Sequence, residues 1–160
     1  MDNFYAIIMA GGGGTRLWPI SRNAKPKQML KLGCDETLFE IAVNRLAPLF
    51  KPEQIMIVTA EDQFENLHAQ CPQIPAENFV LEPEPRGTAS AIGLASVVLQ
   101  KRNPDATAAV LTADHFIKSE PEFRKILAAA AKAAQNGILV TLGITPTSPS
   151  TAYGYIQQGV

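Results

Sequence analysis

Residues 5–9 read YAIIM, an apolar run without alternation, and after one alanine come four glycines, Gly11, Gly12, Gly13 and Gly14. A strand with one wet face alternates apolar and polar side chains. An unbroken run suits a strand buried on both faces, as in a parallel sheet covered by helices. Consecutive glycines at the end of such a strand let the backbone approach a ligand closely and turn its N–H groups into an anion-binding concavity. This junction already points to a layered α/β domain with a phosphate-sized ligand at a strand end.

The rest of the chain repeats the alternation. Residues 37–46 carry apolar side chains at helical spacing, with Thr37 as N-cap, Glu40 three residues on, and Pro48 and Pro52 closing the segment. Residues 55–59 read as a second strand, 61–70 as a helix, 79–81 as a short strand, and 88–99 as a helix capped by Thr88. Residues 108–112 form a fourth strand and 121–135 an alanine-rich helix stopped by Asn136 and Gly137. Residues 138–143 and 153–156 read as a fifth and a sixth strand. The pattern predicts an open, mostly parallel α/β sheet with helices on both faces, Rossmann-like, joined by right-handed crossovers. With 160 residues, 46% of them apolar, residues 1–160 suit one domain with a sizeable core and exclude a disordered chain.

Charge narrows the partners. Fourteen basic against fifteen acidic residues leave a formal charge of −1, so no nucleic-acid or acidic-membrane surface is expected. Small phosphorylated ligands need only local donors. No apolar run approaches the ~18 residues of a membrane helix, and the N-terminus lacks the basic start and long apolar core of a signal peptide. Cys34 and Cys71 match no metal spacing and are expected as small buried hydrophobes in a reducing, cytoplasmic setting.

Ligands of open α/β sheets bind outside the carboxyl ends of the strands. The unusual residues collect there: Ala10 to Arg16 after the first strand, Glu82 to Thr88 after the third, and Ala113-Asp114-His115 after the fourth. Arg16 offers a planar, bidentate cation for phosphate oxygens, with Lys25 and Lys27 close behind. The loop fits neither G-x-G-x-x-G, since Arg16 stands where the last glycine belongs, nor G-x-x-x-x-G-K-[ST], since Thr15 follows Gly14. Phosphate binding is favoured over a merely flexible turn. Asp114 is either a ligand for a hard cation or an N-cap for the next turn, and spacing leaves the two open. His115 is expected to be a packing or hydrogen-bonding neighbour, and Trp18 an anchor for the loop.

The string Gly11-Gly12-Gly13-Gly14-Thr15-Arg16-Leu17-Trp18-Pro19-Ile20-Ser21-Arg22, continuing to Pro26-Lys27-Gln28, resembles the signature of the sugar-1-phosphate nucleotidyltransferases. Its Leu-Trp-Pro-x-Ser-Arg and Pro-Lys-Gln elements resemble the mannose-1-phosphate guanylyltransferase branch. Glu82-Pro83 with Arg86, Thr88-Ala89, Ala113-Asp114-His115, Thr141 to Ile144 and Tyr153 to Ile156 extend the likeness over essentially the whole chain. The resemblance implies a glycosyltransferase-A-like domain that moves GMP from GTP to mannose 1-phosphate with Mg2+, giving GDP-mannose and pyrophosphate. Glucose 1-phosphate with dTTP or ATP, or a non-catalytic nucleotide-binding module, are the alternatives.

The same resemblance gives the roles. Ala10 to Thr15 would wrap the nucleotide phosphates, and Arg16 and Lys27 would neutralise triphosphate charge as the catalytic cations. Glu82, Arg86, Gly87 and Thr88 would face base and ribose, Asp114 would bind magnesium, and Tyr153 and Gly154 would begin to grip the hexose. Lys25 falls on no position of the family pattern. Gly87 replaces the family's usual Asn and Ser90 its Pro, while Thr145, Ser148, Ser150 and Ala152 replace Lys, Arg, Glu and Gly. The family pattern runs on past residue 160, where the acceptor-binding half and a second metal aspartate are expected. Assembly into a homo-oligomer stays open.

Overall fold

The glycine-flanked apolar run becomes β1 (Phe4–Met9), an inner strand of a four-stranded sheet. The computed structural model describes residues 2–12, 19–21, 27–31, 33, 35–157 and 159. With β2 (Ile55–Ala60), β3 (Phe79–Glu82) and β4 (Thr107–Thr112) the strand order is β3-β2-β1-β4, and every ladder is parallel. The connecting helices are α1 (Leu38–Asn44), α2 (Phe64–Gln70), α3 (Thr88–Arg102) and α4 (Glu120–Ala134).

Alternate side chains of each strand go to opposite faces, and both faces are covered. Phe4, Ala6 and Ile8 of β1, with Ile55, Ile57 and Phe79, pack on Phe39 and Val43 of α1, Leu67 of α2, and Leu127 and Ala131 of α4. Ile7, Met56, Val58 and Val80 face the other way, against Ala91, Ala95 and Leu99 of α3. That stripe recurs every four residues, so one side of α3 lies on the sheet. Burial on both sides explains the unbroken apolar runs of β1 and β2, whereas β4 leaves Ala108 and Val110 exposed on one face.

Local signals set the start of α1 and the stop after α4. Thr37 Oγ1 accepts from Glu40 N at 3.1 Å and Glu40 Oε2 accepts from Thr37 N at 2.6 Å, completing a capping box at α1. The expected helix at 61–70 opens with a 3-10 turn, Glu61–Gln63, before α2 begins. Gly137 (φ 75°) ends the turn after α4, its N–H reaching Ala134 O at 3.0 Å. One cap differs from expectation. Gly87, with φ 90° and ψ 173°, is the N-cap of α3, and Thr88 is already its first helical residue. The chain turns at the glycine, one residue before the threonine could cap.

The fifth and sixth strands are not formed. Residues 138–143 and 153–156 have no strand conformation, and Leu139, Ile144 and Ile156 are exposed. Apolar content supplies a strand only where a neighbouring ladder edge and a covering layer meet it, and among the described residues neither segment finds them. Among the described residues, no helix is long and apolar enough to cross a membrane.

Candidate functional site

The carboxyl ends of β1 and β4 frame a cleft of about 190 Å³. Parallel pairing makes this possible. Met9 stands beside Thr112, so both chains leave the sheet at the same edge. Met9, Ala10, Gly11 and Gly12 form one wall, and Thr112, Ala113 and Asp114 the opposite one. Lys27 and Gln28, from the 3-10 turn Lys27–Met29, and Thr88, the first residue of α3, complete the lining. Whole-ligand pockets run to ~300–1,000 Å³, so this cleft has room for a phosphate-sized part of a nucleotide.

Lys27 Nζ donates to Asp114 Oδ2 across the cleft, and each side chain is 30% exposed. Burial alone would raise the Asp114 carboxyl. The hydrogen bond and charge of Lys27 outweigh it and hold the carboxyl below its ordinary value. Asp114 is thus turned towards a cation across the cleft, the Lys27 ammonium.

Gln28 is buried. Its Nε2 donates to Ala10 O at 2.7 Å and to Gln63 Oε1 at 2.5 Å, tying the exit of β1 to the turn after β2. Its own Oε1 is buried without a hydrogen-bond partner among the described residues. An unpartnered acceptor at a cleft wall suits a polar ligand or ordered water.

Glu82 ends β3 buried, and its Oε2 would lie 3.0 Å from a Cβ added to Gly11. Thus Glu82 meets the glycine loop, as the convergence of strand ends predicts. Arg86 points to solvent, with its Nη2 3.1 Å from Glu84 Oε2, and does not line the cleft. Tyr153, 76% exposed, and Gly154 lie in the unpaired segment and do not line it either. Gly13, Gly14, Thr15, Arg16, Trp18, Lys25 and Cys34 lie outside the described residues. Cys71 is buried with its thiol free, as expected. His115 contributes its backbone carbonyl, which accepts from Arg45 Nη1 at 2.5 Å.

Sequence reasoning missed two of these residues as site residues. Gln28 belongs to the Pro-Lys-Gln motif, which signals no separate role for it, while Arg45 carries no local signal at all.

Residues 5–160 match the family model described as nucleotidyl transferase. The chain belongs to the nucleotidyl transferase family. Its sequence is 41% identical over 156 residues to a mannose-1-phosphate guanylyltransferase of Escherichia coli, covering 96% of this chain and 33% of that protein. It is 39% identical over 163 residues to the xanthan biosynthesis protein XanB of Xanthomonas campestris pv. campestris, covering 100% of this chain and 34% of that one. Among solved structures, the mannose-1-phosphate geranyltransferase from Thermus thermophilus superposes with a TM-score of 0.82 at 39% identity, covering 94% of this chain and 44% of that one. A mannose-6-phosphate isomerase from Helicobacter pylori superposes at 0.74 with 27% identity, covering 93% of this chain and 53% of that one. The chain spans about a third of the length of the curated relatives it matches. The parallel sheet and covered faces agree with this nucleotidyl transferase assignment.

Proposed function

We propose that this chain carries the nucleotide-handling part of a mannose-1-phosphate guanylyltransferase, which moves GMP from GTP to mannose 1-phosphate and releases pyrophosphate. The observation that carries the reading is the cleft itself. It joins the start of the glycine loop, a lysine and a carboxylate at one sheet edge. The names of the relatives supply the choice of base and sugar.

An oxygen of mannose 1-phosphate attacks the α-phosphorus of GTP in line, forming one P–O bond as the bond to the departing pyrophosphate breaks. The attacking group is already an anion, so no protein nucleophile is needed. Positioning and charge neutralisation remain, and Lys27 supplies them from the cleft wall, with Arg16 beside the glycine loop. Glu82, Arg86, Gly87 and Thr88 are assigned to base and ribose, and Tyr153 and Gly154 to the hexose, on the resemblance. A cytoplasmic setting goes with this reading, since the free thiol of Cys71 suits a reducing compartment.

The residues fit Mg2+. Among the described residues no group of three or more His, Cys, Asp or Glu is arranged to hold a metal. Mg2+ nevertheless binds commonly through one or two carboxylates plus substrate phosphates. Asp114 offers one such carboxylate, already turned to a cation, the Lys27 ammonium. When bound, the metal would neutralise phosphate charge and orient the triphosphate.

The test is a calorimetric titration of the 160-residue chain with GTP, ATP and dTTP in Mg2+. Pyrophosphate release with mannose 1-phosphate or glucose 1-phosphate is then measured on a chain as long as the relatives, because the acceptor-binding half is expected past residue 160. GTP is expected to bind at least ~tenfold (about 1.4 kcal/mol) more tightly than the other two, and mannose 1-phosphate to support faster release. Tighter binding of dTTP or ATP, or release supported only by glucose 1-phosphate, would replace this reading. GTP binding without release from either sugar would leave a nucleotide-binding module.

A further inference from the structure

Arg45 follows α1 as its C-cap and is buried to 3% exposure. Its guanidinium leaves the helix and reaches the far end of β4. Nη1 donates to His115 O at 2.5 Å and Nη2 to Thr112 O at 3.3 Å. Those two carbonyls bracket Asp114. The sheet itself no longer holds this segment: the last ladder pair is Met9 with Thr112, and one further bond joins Ala113 N to Met9 O at 3.3 Å. Beyond it, the fork of Arg45 fastens the backbone.

The fork is itself held in place. The guanidinium carbon stands 5.7 Å from the centroid of the Phe123 ring in α4. Arg124 Nη1 donates to the Arg45 carbonyl at 2.6 Å and pairs with Glu120 at 3.3 Å. A buried guanidinium is costly to desolvate, and here Arg45 Nε has no partner among the described residues. An uncharged donor could fasten two carbonyls without that cost. What the arginine adds is a second positive charge near Asp114, besides Lys27, and Asp114 and Glu120 both act on it electrostatically.

We propose that Arg45 is a positioning residue for Asp114, clamping the carbonyls on both sides of it so that its carboxylate stays presented to the cleft. The consequence for metal and nucleotide rests on the reading in the preceding section, whereas the clamp does not.

The experiment uses the 160-residue chain, as Arg45→Met, Arg45→Lys and a control, Val80→Ala, which weakens the core on the opposite face of the sheet. Two readouts are compared. The first is amide hydrogen exchange without ligand, at Ala113 and the amides after it and at Ala10, whose N–H donates to Val58 O. The second is GTP affinity with and without Mg2+. In Arg45→Met, exchange around Ala113 is expected to rise at least ~tenfold while Ala10 stays protected. The Mg2+-dependent gain in GTP affinity should fall ~10–100-fold, the range typical of groups that orient a metal ligand, with Mg2+-free affinity within about twofold.

Arg45→Lys should recover part of both, since an ammonium cannot fork two carbonyls. Val80→Ala should lower Tm and leave both readouts near wild type. The clamp is overturned if exchange around Ala113 rises no more in Arg45→Met than in Val80→Ala. The positioning role is overturned if exchange rises but the Mg2+-dependent gain survives. If wild type shows no Mg2+-dependent gain, the nucleotide reading fails, and exchange alone decides the clamp. Should Arg45→Met not fold, Arg45→Lys carries the same comparison.

Discussion

A Cβ on Gly11 would stand 3.0 Å from Oε2 of Glu82, the last residue of β3. Gly11 does not have the positive φ that favours glycine, so space, not backbone conformation, is what it supplies. Glu82 is buried and β3 holds its backbone, so the carboxylate must shift if a methyl group arrives. The end of a glutamate side chain can give by a few tenths of an ångström, so Gly11→Ala should cost about 1 kcal/mol in urea unfolding, the low end of the range for overpacking. In a Glu82→Ala background the same substitution should cost close to nothing, because the obstructing group is gone. Equal costs in both backgrounds would show that this contact is not what demands glycine.

Gly87 is required for the opposite reason. A Cβ there would meet nothing within 4 Å, yet φ is 90° with ψ 173°. That backbone region belongs almost entirely to glycine and costs other residues about 1–3 kcal/mol. It is not the left-handed helical region, where Asn gains relief. Gly87→Ala and Gly87→Asn should therefore lose similar stability, read as a shift of the urea midpoint. A neutral Gly87→Asn would show that the turn relaxes into the left-handed well.

The four strands and the start of α1 were legible because their causes are local. Burial on both faces writes an unbroken apolar run, and Thr37 with Glu40 writes a capping box. Residues 138–143 carry the same apolar signal and form no strand, because pairing is a property of neighbours. The site was legible as a set of strand ends and no further. Lys27 meets Asp114 across 87 positions and Arg45 meets His115 across 70. No spacing rule reaches that far. Gly87 displaced Thr88 as cap through a backbone angle that composition does not encode.

Arg16, next to the glycine loop, lies outside the described residues, and its role follows from the resemblance. As a charge-assisted donor to phosphate, its removal in Arg16→Ala should weaken GTP binding by about 1.5–3 kcal/mol. Arg16→Lys should recover only part, since the planar fork is lost. Equal affinities by calorimetry would remove Arg16 from the site.

The Lys27–Asp114 pair makes a pH prediction. Burial pushes the Asp114 carboxyl up, but the bond and charge of Lys27 prevail and hold the folded pKa below the ordinary carboxylate value. A depressed carboxyl stabilises the fold above its unfolded pKa, and that contribution is lost as pH falls through the folded value. The stability gap between wild type and Asp114→Asn should thus be widest near neutrality and close below pH ~4. All other carboxylates titrate in both proteins and cancel in the difference. Urea unfolding at a series of pH values reads it. A gap that is flat with pH would mean that the pair adds no stability.

Cys71 titrates in the opposite sense. Burial raises its thiol first, and the nearby carboxylates of Glu40 and Glu36 raise it further, to about 12 from 9.0. Between those values the unfolded chain loses a proton that the folded chain keeps. Stability must then fall as pH rises, by about 1.4 kcal/mol per pH unit. Lysines and tyrosines also titrate there, so the informative quantity is the difference between wild type and Cys71→Ala. At pH 7 wild type should be the more stable, since the variant leaves a small cavity. From about pH 9 upwards the advantage should narrow with that slope and then reverse. Unfolding midpoints at half-unit steps from about pH 8 to about pH 10.5 measure it, under reductant. In a Cys34→Ser background, the Cys71 thiol should stay inert to a disulfide reagent until the protein unfolds, because the thiolate is the reactive form. A constant stability difference across this range, together with rapid native labelling, would place the Cys71 thiol in contact with water and refute its burial at the end of α2.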